Sequence, residues 1–427
     1  MTIQSIAKYL CAATNGAARW KKPLTNNRLV GASAAMFAAA LVIVPSEARA
    51  GAVPYDYHVP LTPENAIIGH YSAKKKPVLT VKSGAIVQID GGGGGGATRA
   101  TDKSDPNQWL KDNKIDLTVE QSPALQETAK VLKETPRAPG IPGGHLIVGP
   151  IYIEDAEPGD SLEVRIMDVT PRIPYGNTGG SPGHGGLMLG TAPTPKPAPP
   201  APVADGAAAT PTPATGSPAG APRPFSKVTH LDIARNAGVF DENIVVPLAP
   251  FMGVMATCPA DSWGENPSST PPGPYGGNLD CKELTTGSTL YLPVFQKGAL
   301  FYTGDSHAGQ GDGEVTGTAI ETADTVTLQF ILHKGVSLKM PRAETPTDYI
   351  VFGLDPDLNK AMYQAITESI DFLKEKQHFD MLQAYTLSSI AVNYRVTQVV
   401  DKTLGIHAMI PKKIFINDTN HYWYFPR

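Results

Sequence analysis

Residues 290–305 read LYLPVFQKGALFYTGD, and this stretch indicates the fold better than any other. An apolar run from Leu290 to Phe295 meets a turn at Lys297-Gly298, and a second apolar run leads into Asp305. Short runs of aliphatic and aromatic residues that flank a glycine turn are typical of β-hairpins. The stretch therefore predicts two paired strands with a carboxylate at the end of the second strand.

The same layout occurs twice more, at residues 78–90 and 151–168, where the second runs lead into Asp90 and Asp168. Any β protein has such hairpins, but we predict that Asp90 and Asp305 end equivalent strands in two related halves. The chain also has 42 Gly and 40 Pro residues, and its apolar runs are short. Together these features predict a mainly β fold, with β-sandwich or barrel-like halves built from hairpins.

Only the C-terminal region has a helical pattern in the sequence. Pro356-Asp357 opens a stretch in which Ala361, Ala365 and Phe372 recur at helical spacing, and a second stretch covers Met381 to Val399. We expect a small C-terminal helical part with a structural role.

The first 50 residues have the pattern of a secretory signal. A basic stretch precedes an apolar run from Leu29 to Val44, and Ala48-Arg49-Ala50 supplies small residues for cleavage. The alternative is a membrane anchor, but the run is shorter than the roughly 20 residues of a spanning helix. We therefore expect cleavage after Ala50, a periplasmic or secreted protein, and no stable membrane anchor.

Residues 193–224 are almost wholly Pro, Ala, Thr and Gly. Such a composition cannot bury a core, so this segment is predicted to be a disordered insertion. It separates a first β-rich part, residues 51–192, from a second, residues 225–427, which includes the C-terminal helices. The six-glycine run Gly91–Gly96 is predicted to be a flexible loop, because no phosphate-binding Lys-Ser/Thr follows it.

Charge and cysteine content limit the function. The formal net charge is −4 and no long basic run occurs, so nucleic acid is not an expected partner. Cys258 and Cys281 lie in the exported part; they can form a disulfide or remain as two buried thiols. Neither has an obvious His partner, which disfavours a cysteine nucleophile.

The segment TGDSHAGQGDGE, residues 303–314, holds the densest group of reactive side chains. Asp305 and His307 are two residues apart, so on a strand they point to the same face and can share one ion. Asp312 and Glu314 repeat this spacing. The alternative is an acidic loop that binds nothing or only Ca²⁺, but it lacks the pattern of a calcium hand. We favour a metal or catalytic site.

Two further places precede predicted strands. His145 follows two glycines, and a lone His there is more often structural. Asn278 and Asp280 lie in Gly276–Asp280, which fits a simple Asx turn as well as a site.

Taken together, several stretches resemble the acetamidase/formamidase family, and they keep the family's order over most of the exported part. They are Gly144–Pro150, Glu154–Asp160, Pro247–Gly253, Gly276–Asp280, Gly304–Glu314, Pro341–Thr345 and Gly405–Ala408. The resemblance implies a mainly β fold and a divalent metal, Zn²⁺ with Ca²⁺ as the other option. It also implies hydrolysis of formamide, acetamide or a similar amide to the acid and ammonia.

Of the candidate residues, His145, Asp280, Asp305, His307 and Glu314 fall in the family's motifs, and we infer the roles of all the candidates from their chemistry. The candidate metal ligands are Asp90, His145, Asp280, Asp305 and His307. Glu314 is the candidate general base, with Asp312 as its substitute, and Asn278 or Gln310 can hydrogen-bond the substrate. The rival functions are a lactamase or larger-amide hydrolase on the same scaffold, and a non-catalytic exported calcium-binding β protein. The oligomeric state, a homo-oligomer included, stays open.

Overall fold

The structure is a computed structural model that describes residues 53–91, 95–141, 143–187 and 223–416. The predicted signal over residues 1–50 lies outside the described residues, and so do residues 193–222 of the predicted insertion. Strands make up 37% and helices 21% of the structure, which confirms the mainly β fold. No helix in these described ranges is long and apolar enough to cross a membrane.

The larger sheet has nine strands and is antiparallel except for the pairing of its first two strands. In spatial order they are β1 (Tyr57–Val59), β4 (Ile86–Asp90), β15 (Asp324–His333), β6 (Ser161–Pro171), β13 (Thr289–Pro293), β16 (Arg342–Glu344), β17 (Asp348–Asp355), β19 (Leu404–Pro411) and β18 (Asn393–Gln398). Strand β15, from the second predicted part, lies between β4 and β6 from the first, so the two parts share this sheet.

Two smaller sheets complete the β structure of the described residues. The six-stranded sheet contains β12 (Gly276–Asn278), β11 (Phe251–Ala256), β14 (Phe301–His307), β5 (Leu146–Ile153) and β2 (Ala66–Ile68), with β3 (Leu79–Val81) parallel to β5. The four-stranded sheet contains β10 (Ile244–Pro247), β9 (Ala237–Asp241), β8 (Phe225–Asp232) and β7 (Tyr175–Gly180).

The main core lies between the nine-stranded and six-stranded sheets. Val164 and Phe330 of the larger sheet and Val148 and Phe301 of the smaller one belong to a single cluster of buried side chains. The rings of Phe301 and Phe330 meet edge to face, with their centroids 4.9 Å apart. Burial of this apolar area supplies the main driving force for joining the two sheets.

The three predicted hairpins are wrong as pairings, although their turns exist. In each case the turn carries the chain from one sheet to the other, from β3 to β4, from β5 to β6 and from β13 to β14. Strand β14, for example, pairs with β5 and β11, whereas β13 pairs with β6 and β16. A turn signal is local, but the pairing partner of a fully buried strand is not. Asp90 is the last residue of β4 in the nine-stranded sheet, whereas Asp305 lies within β14 in the six-stranded sheet. The prediction that the two residues end equivalent strands is therefore also wrong.

Helices are not confined to the C-terminal region. The described residues contain α1 (Gly95–Thr101), α2 (Pro106–Asp112), α3 (Pro123–Glu134), α4 (Leu358–Gln377) and α5 (Met381–Ala391). Helix α3 has a recognisable start, because the Ser122 side chain accepts a hydrogen bond from the Leu125 amide and Pro123 occupies the first turn. Gly95 and Gly96, predicted to be loop residues, lie in α1.

The C-terminal helices match the sequence more closely. Asp357 caps the start of α4, whose Ala361 and Ala365 are buried against β17. Gly353 of β17 allows this close approach, because a Cβ there would collide with the Ala361 carbonyl. Helix α5 ends at Ala391, and the chain continues as β18, so the predicted extension to Val399 is wrong. Pairing with β19 outweighs the weak helical pattern there.

Candidate functional site

An acidic pocket of about 350 Å³ lies where the six-stranded sheet meets the loops around it. Its lining includes one imidazole and five carboxyl groups, from His145, Asp280, Asp305, Glu314, Glu321 and Asp401. Except for His145 and Asp401, all of these are among the buried polar residues. Such a density of buried acids is costly unless they bind protons or cations.

Strand β14 carries Asp305, which lines the pocket, and His307, which is buried beside it. The His307 Nε2 atom lies 3.4 Å from Asp305 Oδ2 and 3.4 Å from Glu321 Oε1. The structure therefore brings the two predicted ligands together. It also adds Glu321, which the sequence did not indicate.

Three of the acidic residues have an unusual backbone conformation. The φ angle is 50° at Asp280, 58° at Asp305 and 44° at Glu314. Residues other than glycine rarely adopt this left-handed region, which costs on the order of 1–3 kcal/mol for each residue. Strain of this kind persists where the surrounding structure enforces it, and it concentrates at functional sites.

Gly253 of β11 is the point at which the reactive groups converge. A Cβ atom at this position would lie 2.7 Å from Asp280 Oδ1, 2.7 Å from Asp305 Oδ2 and 3.0 Å from His307 Cε1. The two carboxylates thus approach one small volume from different strands and loops. The missing side chain at residue 253 leaves that volume open.

His145 is held in one orientation at the edge of the pocket. Its Nδ1 atom lies 3.2 Å from the Ser269 carbonyl oxygen and its Nε2 atom 3.8 Å from Asp305 Oδ2. A carbonyl oxygen only accepts hydrogen bonds, so Nδ1 carries the proton and donates it. In the neutral ring, Nε2 then offers its lone pair to the pocket, which is the arrangement of a metal-binding histidine.

The electrostatics of the pocket divide its acids into two kinds. Burial, reinforced by neighbouring carboxylates, raises the pKa of Asp280 and Glu314 well above the ordinary range. Burial alone would also raise the pKa of Asp305, but His145 and His307 outweigh it and lower this pKa to about 2. Burial would lower the pKa of His307, yet Glu321 and Asp305 raise it well above its usual value.

Several buried polar atoms in the pocket or beside it have no hydrogen-bond partner among the described residues. They include both carboxylate oxygens of Asp280, both ring nitrogens of His307 and Oδ1 of Asn278. A buried polar atom without a partner costs about 1–3 kcal/mol. Two overlapping groups, Asp280/His307/Glu314 and Asp305/His307/Glu321, place their potential ligand atoms within 4.8 Å of one another. The arrangement is thus suited to hold a cation.

Two predicted site residues lie elsewhere. The Asp90 carboxylate accepts hydrogen bonds from Thr325 and faces His58 and the Arg172 guanidinium, and Asp90 does not line the pocket. Asp312 forms ion pairs with Arg395 at 2.7 Å and Lys282 at 3.5 Å.

These contacts correct both predictions. The oxygens of Asp90 are engaged in the larger sheet, and Asp312 is an anchor of its loop and not a second general base.

The two predicted substrate-binding residues differ in position. Asn278 lines the pocket and donates from Nδ2 to Asp401 Oδ2 over 2.9 Å. Gln310 donates to the backbone carbonyl of Asp280 over 2.8 Å, which positions that acidic loop. Asn278 can therefore contact a bound molecule, whereas Gln310 does not line the pocket and holds the backbone at Asp280 in place.

Sequence reasoning missed Glu321 and Asp401. Both are single acids outside the motifs, and long-range pairing brings them in: residue 321 bridges to His307, and Gly313 bridges to Gln398 shortly before Asp401. The only local signal was a pair of apolar residues directly before each acid, Ala319-Ile320 and Val399-Val400.

A second polar cluster lies beside the pocket and holds the acidic loops in place. Arg395 of β18 contacts Glu283 Oε1 at 2.7 Å, and it contacts Asp312 at the same distance. His407 Nε2 lies 3.2 Å from Glu283 Oε2. Burial would raise the pKa of Glu283, but His407, Lys282 and Arg395 together lower it to about 2. Because Lys282 and Arg395 pair with Glu283 and Asp312, we describe the cluster as an ion-pair network.

Nucleophilic alternatives find no support in the geometry. Cys258 and Cys281 are buried free thiols, so the disulfide option is not realised. Burial raises the pKa of Cys258 to about 12 and that of Cys281 well above its usual value, which disfavours the thiolate. Residues 179–183, GGSPG, fit the Gly-x-Ser-x-Gly pattern, but Ser181 is exposed and no helix follows in residues 182–187. A nucleophile elbow requires that strand-to-helix junction.

Comparison with known proteins identifies the site's relatives. Residues 260–417 match the model of the acetamidase/formamidase family. The formamidase of Methylophilus methylotrophus is 32% identical over 173 residues, which are 35% of this chain and 42% of that protein. The acetamidase of Mycolicibacterium smegmatis is 30% identical over 225 residues, 45% of this chain and 54% of that protein. The chain thus spans about half the length of these curated relatives.

Solved structures match over a greater length. The acetamidase from Bacillus halodurans has a TM-score of 0.61 and 25% identity, with 84% of this chain and 99% of that chain covered. The acetamidase from Yersinia enterocolitica has a TM-score of 0.64 and 26% identity, with 85% and 94% covered. The predicted resemblance is confirmed: residues 260–417, which carry all five carboxyl groups of the pocket and His307, match the acetamidase/formamidase family model, and the fold is similar to that of solved acetamidases.

Proposed function

We propose that this protein hydrolyses short linear amides, such as formamide or acetamide, to the carboxylic acid and ammonia with the help of a divalent cation. The observation that carries the proposal is the convergence of Asp280, Asp305 and His307 at Gly253. Asp280 and Asp305 line the pocket, and all five of its carboxyl groups lie in the segment that matches the family.

The residues present fit a divalent cation. Both oxygens of Asp280 and both ring nitrogens of His307 are buried without a hydrogen-bond partner among the described residues, and the neighbouring acids favour positive charge. His145, Asp280, Asp305 and His307 are the residues that would hold the ion. Mixed nitrogen and oxygen donors suit Zn²⁺, whereas Ca²⁺ prefers oxygen donors alone. When bound, the cation supplies a Lewis acid that polarises the amide carbonyl.

Glu314 is the group that moves the proton in this proposal. Burial raises its pKa well above the usual carboxylate value, which brings it closer to the pH at which proton transfer in both directions is efficient. Its carboxylate takes a proton from the attacking water. It then gives the proton to the nitrogen that leaves as ammonia.

Substrate orientation depends on the remaining polar groups. The unpartnered Oδ1 atom of Asn278 can accept a hydrogen bond from the amide NH₂ group of the substrate. The volume of about 350 Å³ lies at the lower end of ligand pockets, roughly 300–1,000 Å³, and it suits a small substrate.

The test is ammonia release by the purified protein from formamide, acetamide and a five-membered lactam. Metal content is measured by atomic emission before and after treatment with a chelator. We expect turnover of the linear amides that the chelator abolishes and added Zn²⁺ restores.

In the same assays, His307→Ala should lose metal and turnover. Its matched control is His184→Ala, because His184 is exposed and outside the acidic pocket. Undiminished turnover by metal-free protein would contradict the metal requirement. Turnover of the lactam alone would contradict the substrate class.

We also propose that the protein is exported, because basic, apolar and small residues follow one another before residue 51. Protein from the extracytoplasmic fraction should then begin at Gly51. Recovery of the chain with Met1 intact from the cytoplasm would contradict export.

A further inference from the structure

Two arginines share the pocket with the acids. Arg99 lies in the last turn of α1, and Arg137 lies in the irregular segment after α3. Both are exposed, and both line the pocket that contains Asp280 and Asp305. Neither arginine has an ion-pair or hydrogen-bond partner in the part of the chain that the structure describes. Their charges are therefore available to a bound molecule.

A structural role accounts for only one of them. Arg99 is near the C-terminal end of α1, where a positive side chain is favoured by the helix dipole. Arg137 follows the end of α3 at Glu134 and lies in no regular element, so no dipole explains it. What remains unexplained is that both side chains reach the same pocket.

The helical segment at residues 95–141 forms one wall of the pocket. It contributes Thr98, Arg99, Leu132 and Arg137 to the lining. Most of the acids opposite this wall are buried, whereas the two arginines are exposed. The pocket thus has negative and acceptor groups inside and positive groups at its mouth.

We propose that the preferred substrates are short amides that carry a carboxylate at the end remote from the amide, that is, half-amides of short dicarboxylic acids. This inference rests on the proposed amide hydrolysis and names its substrate class. Arg99 and Arg137 bind the carboxylate, since the planar guanidinium matches a carboxylate with two parallel hydrogen bonds. The amide end lies among the buried acceptors. Water adds to the amide carbon, the C–N bond breaks, and the products are a dicarboxylate and ammonium.

Charge fixes the orientation of such a substrate. In the reversed orientation, the two arginines would face the neutral amide group, and the substrate carboxylate would lose its two parallel hydrogen bonds to a guanidinium. A neutral amide such as acetamide gains nothing from the arginines.

The kinetic test compares succinamate, the half-amide of a four-carbon diacid, with pentanamide, a neutral amide of similar length. We expect kcat/KM to favour succinamate, and each of Arg99→Gln and Arg137→Gln to lower this preference about tenfold. Arg99→Lys and Arg137→Lys should restore part of it, because they restore the charge. The matched control is Arg235→Gln, an exposed arginine paired with Asp232 and outside the pocket, which should keep the preference.

Binding of the product supplies a readout that does not need turnover. Titration calorimetry with succinate should give a dissociation constant that weakens about tenfold in each Gln variant and also weakens as salt rises. If succinate binds and depends on both arginines but no amide is hydrolysed, the proposed function fails and the anion site stands. If neutral amides are hydrolysed, while succinamate is not preferred and succinate does not bind, the inference is overturned and the amidase stands.

Discussion

Gly253→Ala tests the proposed centre with the addition of one methyl group. The φ angle of Gly253 is not in the left-handed region, so alanine fits the backbone. The new Cβ would lie 2.7 Å from an oxygen of Asp280 and 2.7 Å from an oxygen of Asp305. An ordinary carbon–oxygen contact is about 3.3 Å, so each carboxylate must withdraw by roughly 0.6 Å.

This displacement sets the size of the expected effect. Catalytic groups must lie within about 0.5 Å of their working positions, and a misplacement near 1 Å can lower a rate on the order of 10²-fold. We therefore expect kcat/KM for acetamide to fall by about 10–10²-fold and metal content to fall with it. Overpacking should lower the free energy of unfolding by only about 1–3 kcal/mol, so the protein should still fold.

The assay measures ammonia release, metal content and the melting temperature of the same preparation. Gly309→Ala is the matched control, because a Cβ there would make ordinary contacts of 3.5 Å and more, in the same stretch of chain as the site. A folded Gly253→Ala variant with the wild-type rate and metal content would refute the placement of the reacting centre at Asp280, Asp305 and His307.

Three further predictions concern single side chains. His307→Ala should lose metal and activity together, whereas Glu314→Gln should keep the metal and lose on the order of 10²–10⁴ in rate; loss of metal from the Glu314 variant would make that residue a ligand. Arg395→Met should lower the free energy of unfolding by about 2 kcal/mol in denaturant titration, because the hydrogen bonds of Arg395 to two carboxylates are lost. Arg395→Lys should recover part of this stability. Equal stability of the wild type and both variants would contradict the stabilising role of Arg395. Burial raises the pKa of Asp324, so the folded protein binds this proton more tightly than the unfolded chain does. The wild type therefore loses stability as pH rises above about 3.9, by at most about 1.4 kcal/mol per pH unit, until pH passes the pKa of Asp324 in the folded state. Asp324→Asn should therefore melt at a higher temperature at pH 7.5, with a gain that shrinks towards pH 4; a lower melting temperature at pH 7.5 would show that the carboxylate is charged and paired.

Local signals were sufficient for strands and turns but not for their partners. The stretch at residues 290–305 does contain two strands and a turn, as its apolar runs predict. Which strand lies beside β14 depends on β5 and β11, which are distant in sequence. The early helices were missed because the glycine run obscured α1, although Ser122 and Pro123 marked the start of α3.

The same distinction explains which site residues could be predicted. Asp305, His307 and Glu314 are close in sequence and fall in one motif, and they are also close together in the structure. Asp90 was assigned through an assumed equivalence of two hairpins, and the two strands lie in different sheets. Asp401 reaches the pocket only because β18 brings it beside the acidic loop, and no local pattern reports such a contact.

The position of β15 between β4 and β6 in the larger sheet affects how the chain must fold. Strand β15 pairs with both β4 and β6, yet it begins at Asp324, more than 150 residues after β6 ends at Pro171. Contacts of such long sequence separation slow folding, because loop closure must precede them. During synthesis, the apolar edges of β4 and β6 that pair with β15 stay open until residue 333 has emerged. A chain arrested before that point exposes two strand edges to other chains, so aggregation of nascent protein should depend on how quickly the second half follows the first.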